Sequence, residues 1–124
     1  MARFLLICLG GAVGTGARYL FSTAMTRAFG NFPFGTLGVN VLGSFLASVL
    51  MVLALEKSVL SPDLRLILVT GVMGGFTTYS SFNYETLHLA QSGAPGLAVI
   101  NLAVTVVVCL AAGIAGIWVA RLAG

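Results

Sequence analysis

The chain has 124 residues, 59% of them hydrophobic and 7% charged, with a formal net charge of +3 and a mean hydropathy of +1.09. A soluble domain carries about 25% charged residues, so this composition defines an integral membrane protein and leaves no length for a separate soluble enzymatic domain. The basic residues are dispersed, without a basic patch or interleaved aromatics, and nucleic-acid binding has no support.

A membrane-spanning helix needs roughly 20 apolar residues, and the chain accommodates four with short connections. The first is predicted from Phe4 to Met25. Arg3 followed by an apolar run has the outline of a signal peptide. Glycines dilute that run, however, Arg18 follows it, and no A-x-A-like cleavage site is present, so it reads as a retained spanning helix. Gly10 and Gly14 make a small-xxx-small pair suited to close helix approach. Arg18 is the one basic residue well within a span, where such a side chain faces a cavity or snorkels to the interface.

Arg27 to Phe34 is predicted as a loop, with Gly30, Asn31 and Pro33 as turn residues. The second helix runs from Thr36 to Leu55 without a charge, and Asn40, Ser44 and Ser48 recur every fourth residue on one face. Glu56 to Asp63, with Lys57 and Pro62, forms a polar loop.

The third helix is predicted from Leu64 to Ala90, broken near Gly74-Gly75. From Gly71 to Phe82, two adjacent glycines precede a dense run of hydroxyls and two aromatics. Lipid tails cannot hydrogen-bond, so irregular backbone at membrane depth survives only where protein buries it or where it lines a watery cavity. Thr77, Ser80 or Ser81, and Tyr84 are expected to form a polar row beyond the break. Tyr79 and Phe82, spaced i, i+3, share a face, and an aromatic ring has a positive edge. Glu85 is expected at the level of Arg18, as its partner.

After a turn at Ser92–Pro95, the fourth helix is predicted from Gly96 to Ala120. It carries Asn101, Thr105 and Cys109 at four-residue spacing, and Gly113 and Gly116 as close-approach positions. Cys8 and Cys109 read as small buried apolar residues. With a single histidine and no Cys/His cluster, one chain cannot assemble a transition-metal site.

The polar rows admit two readings: hydrogen-bonded glue between helices, or the lining of a narrow path. A proton-coupled cation exporter needs an embedded carboxylate, and helices one, two and four hold no acidic residue. A non-transporting scaffold explains the glycines but gives no reason for a polar broken helix. Arg3, Lys57, Arg65 and Arg121 fall on one side of the membrane, with Arg27 and nearby Arg18 towards the other. The positive-inside rule then favours cytoplasmic termini, by a surplus small enough to allow insertion both ways up.

Helix one carries Gly10-Gly11-x-x-Gly14 and Arg18-Tyr19. Helix two opens with Gly35-Thr36-Leu37-x-x-Asn40. Helix three carries Gly71-x-x-Gly74-Gly75-x-Thr77-Thr78-Tyr79-Ser80-Ser81-Phe82. In order, spacing and chain length these motifs closely resemble the Fluc (CrcB-type) fluoride channels, over nearly the full chain. The resemblance implies an all-α integral membrane fold with four transmembrane helices per subunit, in one channel domain. It implies an antiparallel, dual-topology homodimer in the lipid bilayer of the cell's inner (plasma) membrane, with two fluoride pores and a structural sodium ion at its centre. The activity implied is passive fluoride export, with no enzymatic step.

Carried onto this chain, the resemblance assigns the sodium to the backbone carbonyls of Gly74 and Thr77. Asn40 matches the pore asparagine, Tyr79 and Phe82 match two phenylalanines whose ring edges face fluoride, and Ser80 and Ser81 match the hydroxyl track beyond them. Arg18 is expected to raise the anion concentration at a vestibule. Two positions depart from the pattern: Tyr79 stands where phenylalanine is usual, and Cys109 where serine is frequent. The charge surplus is also larger than a strictly balanced dual-topology protein would carry.

Overall fold

The computed structural model describes residues 1–30 and 32–123, so the turn position expected at Asn31 lies outside the described residues. Among the described residues, three helices are long and apolar enough to cross a membrane: α1 (Ala2–Phe29), α2 (Phe34–Leu55) and α6 (Pro95–Leu122). Between the last two lies a composite segment. It comprises α3 (Pro62–Arg65), a π-helical stretch (Leu66–Met73), α4 (Gly74–Phe76) and α5 (Tyr79–Gln91). No strand occurs among the described residues.

The helices overrun their predicted ends for local reasons. Arg27 belongs to the last turn of α1 rather than to a loop, because a cation there complements the negative end of the helix dipole. The chain leaves α1 at Gly30, whose φ of 76° suits glycine. At the start of α6, Pro95 occupies the first turn, where its missing N–H costs nothing. The short α3 is capped by Ser61, whose hydroxyl accepts from the Leu64 N–H at 3.2 Å.

Glycines set the central crossing. Gly10 and Gly14 are the buried residues of α1, and they meet the π-helical stretch and α4. A Cβ on Gly10 would lie 2.9 Å from the Ile67 carbonyl oxygen, and one on Gly71 would lie 2.8 Å from that of Ile7. A Cβ on Gly14 would collide with the Val72 carbonyl, and one on Gly75 with that of Gly11. Such backbone-to-backbone approach replaces the hydrophobic drive that helices lack in lipid. The most extensive helix pairing is α2 with α6, where Gly116 lies against the Phe45 carbonyl. Both helices end at the same level, tied by the ion pair Arg121–Glu56, while Arg3 and Asp63 pair at 2.7 Å where α1 and α3 begin. The outer faces are rich in exposed Leu, Val and Ile, as a lipid-facing surface requires.

Candidate functional site

The break in the third segment is made by Thr77 and Thr78, three residues beyond the expected glycine pair. Thr77 has φ −83° and ψ 159°, and Thr78 has φ −152° and ψ 113°. Gly74 and Gly75 remain helical; the small size of Gly75 serves the approach to α1, not the loss of the helix. Asn40 of α2 holds the break open. Its Oδ1 accepts from the Thr78 N–H at 2.8 Å, and its Nδ2 donates to the Thr78 carbonyl at 3.0 Å. These reciprocal bonds fix which end of the amide is which. They consume the acceptor and one N–H, and leave one N–H to spare.

Beyond the break, Thr78 starts α5 as its N-cap, accepting from the Ser81 N–H at 3.2 Å and donating to Ser81 Oγ at 3.1 Å. Ser80 Oγ lies 3.3 Å from the same hydroxyl. The serines are thus part of a capping cluster around Thr78. Thr77 points its hydroxyl back to the Met73 carbonyl at 3.0 Å, and its methyl fits against Gly43, where a Cβ would collide with it.

Two backbone carbonyls are released by this arrangement. The Thr78 N–H, which would close a helical bond on the Gly74 carbonyl, goes to Asn40 instead. The Ser81 N–H, which would reach the Thr77 carbonyl, goes to Thr78 Oγ1. Neutral carbonyl oxygens are suitable ligands for a hard cation, so the chemistry at Gly74 and Thr77 fits a sodium ion. One chain supplies two oxygens there, fewer than such an ion takes. Among the described residues no group of three or more His, Cys, Asp or Glu is placed to hold a metal.

A groove of about 740 Å³ runs beside the break, between α2, α5 and α6. The α2 row of Asn40, Ser44 and Ser48 forms one wall, and Tyr79 and Phe82 of α5 also line it. Thr105 and Cys109 of α6 face them. The Thr105 hydroxyl is buried and has no hydrogen-bond partner. Phe82 is buried, whereas Tyr79 is 79% exposed; their rings meet edge to face, with centroids 5.7 Å apart and planes at 63°.

Other expected members lie elsewhere. Asn101, the first of the α6 row, is buried and donates to Thr86 Oγ1 at 2.8 Å, joining α6 to α5. Tyr84 stacks on His88 outside the groove, and Thr77 lies in the break itself, so the expected row beyond it is discontinuous. Ser80, Ser81 and Arg18 do not line the groove. Glu85 does not pair with Arg18: its Oε1 accepts from Thr36 Oγ1 at 2.7 Å. The hydroxyl of α2 lies within reach of Oε1, while Oε2 is buried and has no hydrogen-bond partner among the described residues. Thr36 stands in the motif that opens α2 without a role expected for it, although its position one turn before Asn40 places it on the same face.

The apolar helices and the broken segment define a small multi-pass membrane protein, with a mainly apolar groove that carries a row of polar groups from α2 and α6. A family profile described as "CrcB-like protein, Camphor Resistance (CrcB)" matches residues 5–117, and the chain belongs to this family. Among its relatives, a fluoride-specific ion channel FluC of Anaeromyxobacter dehalogenans (strain 2CP-1 / ATCC BAA-258) is 58% identical over 98% of this chain and 97% of its own length. Relatives of the same name are 57% identical in Sorangium cellulosum (98% of this chain, 96% of the relative) and 44% identical in Geobacter sulfurreducens (98% of each).

Proposed function

We propose that the chain forms a fluoride-selective channel in the plasma membrane, through which fluoride leaves the cell passively; it is not an enzyme. The carrying observation is the groove beside Thr77–Phe82, where hydrogen-bond donors converge in a chain 58% identical to a fluoride-specific ion channel. Fluoride is small and strongly hydrated. A selective pore must replace its water with donors yet release it again. The spare N–H of Asn40 and the unpartnered Thr105 hydroxyl offer direct donation. The edges of Phe82 and Tyr79 offer weaker positive contacts without a formal charge. Ser80 and Ser81, bound to Thr78 outside the groove, steady the start of α5 that carries the aromatics. Arg18, outside any ion pair among the described residues, concentrates anions at a vestibule.

The functional unit of this reading is an antiparallel homodimer of two four-helix subunits, with two pores. The groove is open along one side, and polar groups facing lipid are costly, so a second copy is the natural cover. A structural sodium ion at the dimer centre would be held by the Gly74 and Thr77 carbonyls of both copies. It would add fixed positive charge between the pores.

Purified protein in fluoride-loaded liposomes, read by a fluoride electrode, tests this. Rapid fluoride efflux with chloride retained is the expected result. Release no faster than from protein-free liposomes overturns the reading.

A further inference from the structure

The groove does not end at Ile117. A second cleft of about 280 Å³ shares Ala47, Ser48 and Ile117 with it and continues along α2 to the end of that helix. Beyond Ser48 its walls are apolar, formed by Met51, Val52 and Leu55, with Glu56, just past the end of α2, as the charged group of its lining. Arg121 forks onto that carboxylate, donating from Nε to Oε2 at 2.9 Å and from Nη2 to Oε1 at 2.7 Å. The two parallel bonds fix the geometry as a single contact would not. The guanidinium holds the Glu56 carboxyl below its ordinary range, so the group is charged at neutral pH.

Resting on the fluoride-channel reading, we infer that the Glu56–Arg121 pair is the charge-compensated outer mouth of the path and sets the rate at which fluoride enters and leaves it. An anion following the two clefts passes Glu56 last. A bare carboxylate there would repel it. Arg121 cancels that repulsion. Coulombic action over several ångströms of water is modest but sufficient to change an entry rate. The other ion pair at this end of the molecule, Arg3–Asp63, borders neither cleft and serves as an internal control.

Single-channel fluoride currents in planar bilayers test the assignment, at low ionic strength and again after raising it with a chloride salt. Glu56→Gln is expected to raise the low-salt current about twofold to threefold, and Arg121→Gln to lower it by a similar factor. The double variant should return to the wild-type current, as should Arg121→Lys, which keeps the charge if the fork loosens folding. All differences should vanish at roughly 0.5 M salt, where the screening length falls to a few ångströms. Asp63→Asn should leave the current unchanged. A purely structural pair predicts instead that both single variants shift the current in the same direction, independently of salt. That result, or unchanged currents in all charge variants of a conducting wild type, overturns this inference alone. A wild type that passes no fluoride overturns the channel reading and this inference with it.

Discussion

Position 79 carries a phenol next to the most enclosed aromatic of the groove. Phe82 is buried, while the Tyr79 ring meets it edge to face and is itself 79% exposed in the single chain. A tyrosine hydroxyl that becomes covered needs a hydrogen-bond partner, and an added dipole beside an anion path can either donate to the ion or detain it. Tyr79→Phe removes the hydroxyl and keeps the edge. Fluoride efflux from liposomes is expected to stay at the wild-type rate or rise, and complete loss would show that the hydroxyl itself is required. Phe82→Ile makes the opposite change, retaining apolar bulk and removing the ring. Efflux is expected to fall to the level of protein-free liposomes while the size-exclusion elution volume stays that of the wild type. Near-wild-type efflux from that variant would remove the ring edge from the mechanism.

Between elements, the crossing of α1 with the π-helical stretch and α4 rests on glycines at backbone contact. Gly14→Ala places a Cβ against the Val72 carbonyl, which cannot move without displacing its helix. A cost of roughly 1–3 kcal/mol is expected for such overpacking, seen as a lowered thermal midpoint in detergent. Gly16→Ala, on the same helix with nothing within 4 Å, is the matched control. It should leave the midpoint unchanged or raise it slightly, since alanine is the better helix former; equal losses in both variants would dissociate the crossing from the glycines. The crossing was legible in the Gly10–Gly14 spacing because close approach demands small residues at helical intervals. The site of the break was less legible. Adjacent glycines mark where a helix is weak, but the backbone departs where another group accepts its hydrogen bonds, and here Asn40 takes over Thr78. That exchange joins residues far apart in sequence, as does the bond from Thr36 to Glu85 that displaced the expected Arg18 partner. Periodicity places Asn40, Ser44 and Ser48 on one wall, yet it cannot separate Thr105, which lines the groove, from Asn101, which ties two helices together.

For the whole molecule, the charges bear directly on how it sits in the bilayer. Arg3, Lys57, Arg65 and Arg121 gather where α1 and α3 begin and where α2 and α6 end, with Arg27 at the opposite end of α1. Orientation follows the lysine and arginine count and is little affected by acidic residues, so the ion pairs with Asp63 and Glu56 do not cancel this bias. An antiparallel dimer nevertheless requires both orientations in useful amounts. Fusing the C-terminus either to a reporter active only in the cytoplasm or to one active only outside it should give signal from both fusions, with the cytoplasmic orientation in excess. Adding positive charge at the opposite end, with Gln91→Lys at the last position of α5 and Ser92→Lys in the turn after it, should shift the ratio towards the external orientation. Fluoride efflux should fall as one orientation becomes scarce, because the number of antiparallel pairs is limited by the rarer partner. A wild type found in one orientation alone, yet still conducting fluoride, would eliminate the antiparallel dimer and leave the groove to be covered by a parallel copy.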